Sequence, residues 1–335
     1  MNGNEIMVTV LCSAYNHEKY IRDALEGFIK QKTSFAFEVV IHDDASTDKT
    51  ADIIREYEIK YPDIIKPIYQ TVNQFTVKVN RIYAHMLPRA RGKYIAFCEG
   101  DDYWTSENKL QAQFDYLEAH PECALVAHMA MTHNLDGNYV EKYTSRDFST
   151  AERCLISAEE IINNHLIFPT ASMFFRRDYY ERHKELLTSI KTFDYVHKML
   201  LATEGTVYVI PEVMSVYRYG GASSWTKTVS VDKEKMVKHL ELAVNTLLKL
   251  DEYRDFKYHD VIQANIAQRR FDILVKTLDI KAMKKEPYLE MYRKLPIKKR
   301  FIIWSRKYAR FAFNMYRGVA RFIKRVINRK NKTAK

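Results

Sequence analysis

The feature that most restricts the fold is an alternation of short apolar runs with helix-period segments across the first 130 residues. "MVTVLC" (residues 7–12), "FEVVIH" (37–42), the weaker "IIKPIYQ", "KYIAFC" and "CALVAH" (123–128) each read as strands. Between them, "HEKYIRDALEGFIKQ" sets Tyr20, Ile21, Leu25, Phe28 and Ile29 at helical spacing. "TADIIREYEIKY" follows a polar turn, and "SENKLQAQFDYLEAH" is stopped by Pro121. A strand that is apolar on both faces must be covered on both. Strands separated by helices therefore predict an α/β fold: a mainly parallel sheet flanked by helices. After residue 130 the alternation loosens. "ASMFFRR" and "TVYVIPEVMSVYRY" read as strands among the helices "RDYYERHKELLTSI" and "DYVHKMLLATE", which predicts a small second, mixed sheet. From about Val231 the pattern is helical throughout, and no internal repeat is present.

Ligands of an open parallel sheet bind beyond the carboxyl ends of its strands. Three of those ends are polar here: "SAYNHEKY" after the first strand, "HDDASTDKT" after the second and "EGDDYW" after the fourth. They converge on one rim if the strands are neighbours. Ser46 or Thr47 followed by Asp48 also makes an ordinary helix N-cap with a first-turn acid. Asp43 and Asp44 exceed what a cap needs. Glu99, Asp101 and Asp102 either form an exposed acidic turn or gather a hard divalent cation, which turns their repulsion into attraction. Oxygen ligands suit Mg²⁺ or Mn²⁺ better than Zn²⁺. A cation with open positions accepts phosphate oxygens and acts as a Lewis acid for a departing phosphate. Neither GxGxxG nor GxxxxGK[ST] occurs, so the metal is expected to neutralise a diphosphate, with side chains such as Tyr15 and Asp44 holding the nucleoside. A haloacid-dehalogenase phosphatase would need Asp-x-Asp-x-Thr where Asp43, Asp44 and Ala45 stand. A nucleotidylyltransferase would need a glycine-rich basic loop where "SAYNHEKY" stands.

"VTVLCSAYNHEKYIRDALEGFIKQ", "FEVVIHDDASTDKT" and "ARGKYIAFCEGDDYWTSENKLQAQ", in that order and spacing, resemble the family 2 inverting glycosyltransferases of GT-A fold, especially those of bacterial surface-polysaccharide assembly. The resemblance is strong over residues 7–130 and looser to about 225. It implies a nucleotide-diphosphate-sugar donor, with a UDP-sugar favoured, and a saccharide or lipid-linked saccharide acceptor. Tyr15, Asn16, Asp43 and Asp44 would lie on the nucleoside side. Glu99, Asp101 and Asp102 would form the DXD-type region. Asp102 is the first choice for metal ligand together with Asp101, and a Glu99-x-Asp101 pair is the alternative, since Glu99 stands where many members have Asp. Inverting transfer needs a base to take the acceptor hydroxyl proton. Asp194 is the matching acid, with a helix N-cap as its plain alternative and Glu204 in reserve. Trp104 and Trp225 are candidates for stacking on sugar faces or for simple packing. His128 is a rim or core histidine, and "YGGASSW" (219–225) a candidate lid. Residues 1–228 are expected to form the catalytic domain, with a nucleotide-sugar half (1–130) and an acceptor half (131–228). Residues 229–290 would be a helical extension and 291–335 a basic tail. The competing class is a membrane-associated nucleotide-sugar-binding protein without turnover.

The charge distribution bears on partners. All 42 Asp and Glu and 37 of the 53 Lys and Arg precede residue 291, whereas residues 291–335 hold the other 16 basic residues and no acid. At 100° per residue, Phe301, Trp304, Tyr308, Phe311, Met315, Val319, Phe322 and Val326 share one side of a helix. Arg306, Lys307, Arg310, Arg317, Arg321, Lys324 and Arg325 take the other. Residues 298–330 thus read as an interfacial helix on an anionic membrane. Packing on the protein's own body and nucleic-acid binding are the alternatives, and no nucleic-acid partner is expected. The N-terminus lacks a basic, then apolar leader. No run approaches the ~18 apolar residues of a spanning helix. Four scattered cysteines read as reduced core thiols. The expected location is cytoplasmic, peripheral on the inner face of the cell membrane.

Overall fold

The structure is a computed structural model that describes residues 5–144, 146–164, 166–190, 194–220 and 232–309. Four parallel strands carry the first half: β1 (Ile6–Ala14), β2 (Ala36–Asp43), β3 (Ile65–Tyr69) and β4 (Tyr94–Phe97). Helices α1 (Ile21–Ile29), α2 (Thr50–Lys60) and α3 (Lys109–Ala119) surround them. The strand order begins β3-β2-β1-β4, so β1 is flanked by β2 on one side and β4 on the other. That reversal of strand order is a topological switch point, where a crevice opens at the carboxyl edge.

Val8, Val10, Val39, Val40, Ile41, Ile95 and Ala96 are buried completely. Each such Val or Ile contributes about 1.5–3 kcal/mol relative to exposure. α1 lays Ile21, Ala24, Leu25 and Phe28 against this sheet, the face set out by its apolar spacing.

The strands of the second half join the same sheet rather than standing apart. β9 (Phe174–Arg176) pairs antiparallel with both β4 and β6 (Cys123–Asn134), and so links the two halves. β10 (Thr206–Tyr219) runs parallel to β6 and antiparallel to the two-residue β5 (Tyr103–Trp104). β7 (Tyr139–Lys142) and β8 (Leu155–Ile156) complete ten strands. The helix Asp194–Ala202 packs on β6 and β10.

The chain divides into two compact units. The first comprises residues 1–228 with 248–262, and the second 229–247 with 263–335. The second is helical in its described part. Phe271, Ile280, Met283 and Ile303 form its own small core.

Candidate active site

The turns after β1 and β2 are stitched together by side chains that accept from backbone. Asn16 N–H donates to Ser46 Oγ (3.0 Å), His17 N–H to Thr50 Oγ1 (2.7 Å) and Glu18 N–H to Asp48 Oδ2 (3.1 Å). In return, Thr47 N–H donates to Asn16 Oδ1 (2.8 Å) and Lys49 N–H to Glu18 Oε2 (3.1 Å). Ser46 and Asp48 thus tie two loops together; α2 is not capped by Ser46 or Thr47 but has Lys49 at its N-cap position, with Asp48 Oδ1 accepting from the Thr50 N–H at 2.9 Å. Asn16 and Ala45 sit at φ 55° and 60°. Non-glycine residues are rare in this left-handed region, and such strain gathers at functional turns.

The turn after β4 closes on the same edge. Gly100 N–H donates to Ser13 O at 2.9 Å. A Cβ on Gly100 would lie 2.9 Å from Ile21 Cδ1, 3.0 Å from His17 Nδ1 and 3.1 Å from Ala14 Cβ, so glycine lets the acidic turn approach this closely without displacing those side chains. The three polar strand ends are therefore neighbours on one rim.

Within the acidic turn the carboxylates have different surroundings. Asp102 is 2% exposed, and its Oδ1 accepts the Arg218 N–H at 2.8 Å. Burial, then the like charges of Asp101 and Glu99, push its carboxyl well above the usual carboxylate range. Asp101 faces outward, its side chain 42% exposed, with His17 Nε2 at 3.9 Å. Burial holds the His17 imidazole below its usual range despite that neighbour. Asp102, the first choice for metal ligand, is therefore interior, and Asp101 is the acid on the rim.

Arg218, near the end of β10, was not singled out in the sequence. Its Nη1 donates to Asp101 O (2.8 Å) and its Nη2 pairs with Asp23. Its guanidinium lies 4.4 Å from the Tyr103 ring centroid and 5.1 Å from that of Tyr20. One cation thus fastens the acidic turn to α1 and β10.

Among the described residues no three His, Cys, Asp or Glu side chains gather into a metal cage. The donor set of the turn, Asp101 at the rim and the half-buried Glu99 beside Ser13 and Arg81, is hard oxygen. It fits the way Mg²⁺ is held, by one or two carboxylates with phosphates and water completing the shell.

On the nucleoside side, Tyr15 is 45% exposed beyond the end of β1. Asp43 is buried, with Oδ2 accepting from Ser46 N–H (3.3 Å) and Oδ1 lacking any hydrogen-bond partner. Burial raises its pKa. A buried acceptor without a donor is costly, and an N–H or O–H from a ligand removes that cost. Asp44 differs. Its oxygens accept the backbone N–H groups of Gln74 (2.6 Å) and Phe75 (3.2 Å), so it anchors the connection between β3 and β4.

Trp104 does not offer a face to a sugar. It is 4% exposed, donates its indole N–H to Ala171 O (3.0 Å), and packs edge-on against Phe28 with Lys109 Nζ 4.0 Å over its ring. His128 is fully buried in the middle of β6, which continues to Asn134. Glu204 pairs with His183 and Arg182 (3.0 Å), while His183 Nδ1 lies 2.7 Å from Tyr253 Oη. That cluster, with His183 buried and Arg182 and Tyr253 at the surface, is a structural tie. Asp194 begins the helix Asp194–Ala202. Trp225 and most of "YGGASSW" lie outside the described residues.

Residues 9–183 match the Glycosyl transferase family 2 profile, about half of the chain. The chain belongs to glycosyltransferase family 2. An uncharacterised protein of Mycobacterium tuberculosis is 34% identical over 218 residues, covering 65% of this chain and 60% of that relative. The chain thus spans less than two thirds of that relative's length. A putative teichuronic acid biosynthesis glycosyltransferase, TuaG of Bacillus subtilis, is 33% identical over 111 residues, 33% of this chain and 42% of TuaG. Solved structures share the GT-A-like fold of this family 2 chain. S. aureus TarS 1–349 in complex with UDP-GlcNAc superposes with a TM-score of 0.56 at 18% identity, covering 89% of this chain and 78% of that one. The mannosyltransferase PcManGT from Pyrobaculum calidifontis, in complex with GDP-Man and Mn²⁺, gives 0.53 at 16% identity, covering 91% and 85%.

Proposed function

We propose that this family 2 protein is an inverting glycosyltransferase of cell-surface polysaccharide assembly. It moves a sugar from a nucleotide-diphosphate donor, a UDP-sugar in the first instance, to a saccharide hydroxyl on a lipid carrier. The observation that carries this reading is the buried, unpartnered Asp43 Oδ1 on the rim that also carries the acidic turn. One end of that rim wants a ligand donor, and the other wants positive charge.

Asp43, Tyr15 and Asn16 hold the nucleoside. Glu99 and Asp101 face the diphosphate, and Arg218 and Gly100 fix their turn in place. Glu99 and Asp101 would also hold Mn²⁺ or Mg²⁺, which when bound neutralises the charge of the departing nucleoside diphosphate. Asp194 takes the proton from the acceptor hydroxyl as that oxygen bonds to the anomeric carbon and the bond to the diphosphate oxygen breaks. TarS and PcManGT, solved in complex with UDP-GlcNAc and GDP-Man, support a nucleotide-sugar donor.

The second unit supports a membrane-side acceptor, at the inner face of the cell membrane. In the helix Ile297–Tyr308, Ile303 packs inward on Phe271, Ile280 and Met283. Phe301, Trp304 and Tyr308 stay about half exposed in a row, with centroids 6.2 and 6.0 Å apart. An exposed aromatic stripe on a basic helix suits a headgroup interface. The rest of the amphipathic tail, from residue 310, lies outside the described residues. No described helix is long and apolar enough to cross a membrane.

The test is release of free nucleotide from a panel of UDP- and GDP-sugars with Mn²⁺, with and without lipid-linked acceptor. Turnover that is lost in Asp194→Ala and Asp101→Asn supports the reading. Tight nucleotide binding without turnover on any donor would favour a non-catalytic binding protein.

A further inference from the structure

The connection between β3 and β4 has a composition the catalytic reading does not use. Residues 70–93 contain five Lys or Arg and no Asp or Glu. Its tip, "TVNQFTVKVN" (71–80), places four apolar side chains in solvent: Val72 (54% exposed), Phe75 (65%), Val77 (52%) and Val79 (37%).

The tip is a built turn. Asp44 holds the backbone of Gln74 and Phe75, and Asp44 O accepts from Asn73 Nδ2 (3.0 Å). Asn73 Oδ1 accepts from both the N–H and the hydroxyl of Thr76, each at 2.9 Å. Gln74 Oε1 meets His85 Nε2 at 3.2 Å. Lys78 turns the chain at φ 61°. These bonds satisfy the turn's polar groups against one another and against Asp44, while Phe75 and the valines stay exposed. An ordered turn that satisfies its polar groups internally and holds a cluster of apolar side chains in solvent presents a surface for an apolar medium.

We infer that this turn is a second membrane contact, carried by the catalytic unit itself: Phe75 and Val77 enter the interfacial layer of an anionic bilayer while Lys78 and its basic neighbours meet the headgroups. Two features choose the bilayer as occupant. The stretch holds no acid, and although Arg91 and Lys93 are paired with Glu38 and Glu118, Lys78 and Arg81 lie at the turn, which complements anionic headgroups. The turn is also fastened to Asp44 at the donor rim, so docking it brings the site to the surface where a lipid-linked acceptor lies. The inference deepens the membrane reading above and rests on it for the identity of the partner.

The test uses the full chain with one added thiol. The four native cysteines are buried, so Val77→Cys can be labelled selectively with an environment-sensitive nitrobenzoxadiazole dye. Ile59→Cys is the control, 81% exposed on α2 and next to the opposite end of β3. Vesicles of phosphatidylcholine with phosphatidylglycerol should brighten the Val77 label several-fold and shift it blue, and leave the Ile59 label unchanged. Phe75→Ser with Val77→Ser should weaken vesicle partitioning about tenfold at an unchanged melting temperature. A dark Val77 label on protein that still co-sediments with vesicles overturns the inference and leaves the tail reading intact. Failure to co-sediment at all overturns both. Brightening with UDP and Mn²⁺ in the absence of vesicles would make the turn a donor lid, and also overturns it.

Discussion

Replacing Asp102 by Asn tests the electrostatic account of the acidic turn. Asp102 is buried, with Asp101 and Glu99 acting as like charges beside it, so its folded pKa lies well above the unfolded value of about 3.9. The sign follows from proton binding. Between the two pKa values the native state holds a proton that the unfolded chain has lost. The stability from this group is complete below the unfolded pKa and declines as pH rises, by about 1.4 kcal/mol per unit, until the folded pKa is passed. An amide at this position carries no such slope. It keeps an acceptor for the Arg218 backbone N–H, and near pH 4, where the carboxyl is still protonated, it exchanges one neutral acceptor for another at a cost of at most about 1 kcal/mol. Asp102→Asn should therefore be slightly less stable than wild type near pH 4, and should gain on it steadily as pH rises. Urea unfolding of both proteins at unit pH steps with EDTA present measures the difference, in which titrating groups remote from the acidic turn cancel. A difference that stays flat with pH, or that grows in favour of wild type, would refute the reasoning. A gain that Mn²⁺ with UDP reverses completely would show that Asp102 ligates the metal after all.

Other expectations concern geometry. Gly100→Ala should destabilise the protein by about 1–3 kcal/mol, because the new methyl meets Ile21 and His17, and thermal melts should show UDP affinity falling with it. Trp104→Phe leaves Ala171 O without its donor and should cost about 1–3 kcal/mol in unfolding experiments while KM for donor stays within twofold; a large rise in KM would restore the sugar-stacking role. Glu204→Gln should lower the melting temperature by undoing the tie to His183 and Arg182 yet keep kcat within a few-fold, whereas Asp194→Ala should lose about 10²-fold or more; the reverse ranking would make Glu204 the base.

The parallel half of the fold was legible because its signal is repeated. Fully apolar strands alternate with helices of clear period, and the polar strand ends fall where a switch point must gather them. β9 was harder to place. Its three paired residues are too few for periodicity to give a direction, and only their position between β4 and β6 shows that two expected sheets are one. Trp104 follows three acids and looks superficial in sequence. It is buried because Gly27 has no side chain: a Cβ there would lie 3.0 Å from Trp104 O, so α1 can pass directly over β5. Arg218 gave no local signal. Its partners Asp23 and Asp101 are 195 and 117 residues away, and one arginine among many carries no mark of the turn it will fasten. Asp43 and Asp44 read alike as adjacent acids, but strand alternation turns them to different neighbours, one toward an unfilled acceptor position and the other toward the backbone of residues 74 and 75.

The central claim is that the rim formed by the β1, β2 and β4 turns is the donor site. Calorimetric titration of UDP into the full chain with Mn²⁺ tests it most directly, with Asp43→Asn and Asp101→Asn measured alongside. The account predicts saturable one-to-one binding that weakens at least tenfold in each variant, with the Asp101 variant also losing its dependence on Mn²⁺. Binding that is undiminished in both variants would place the nucleotide elsewhere and contradict the account.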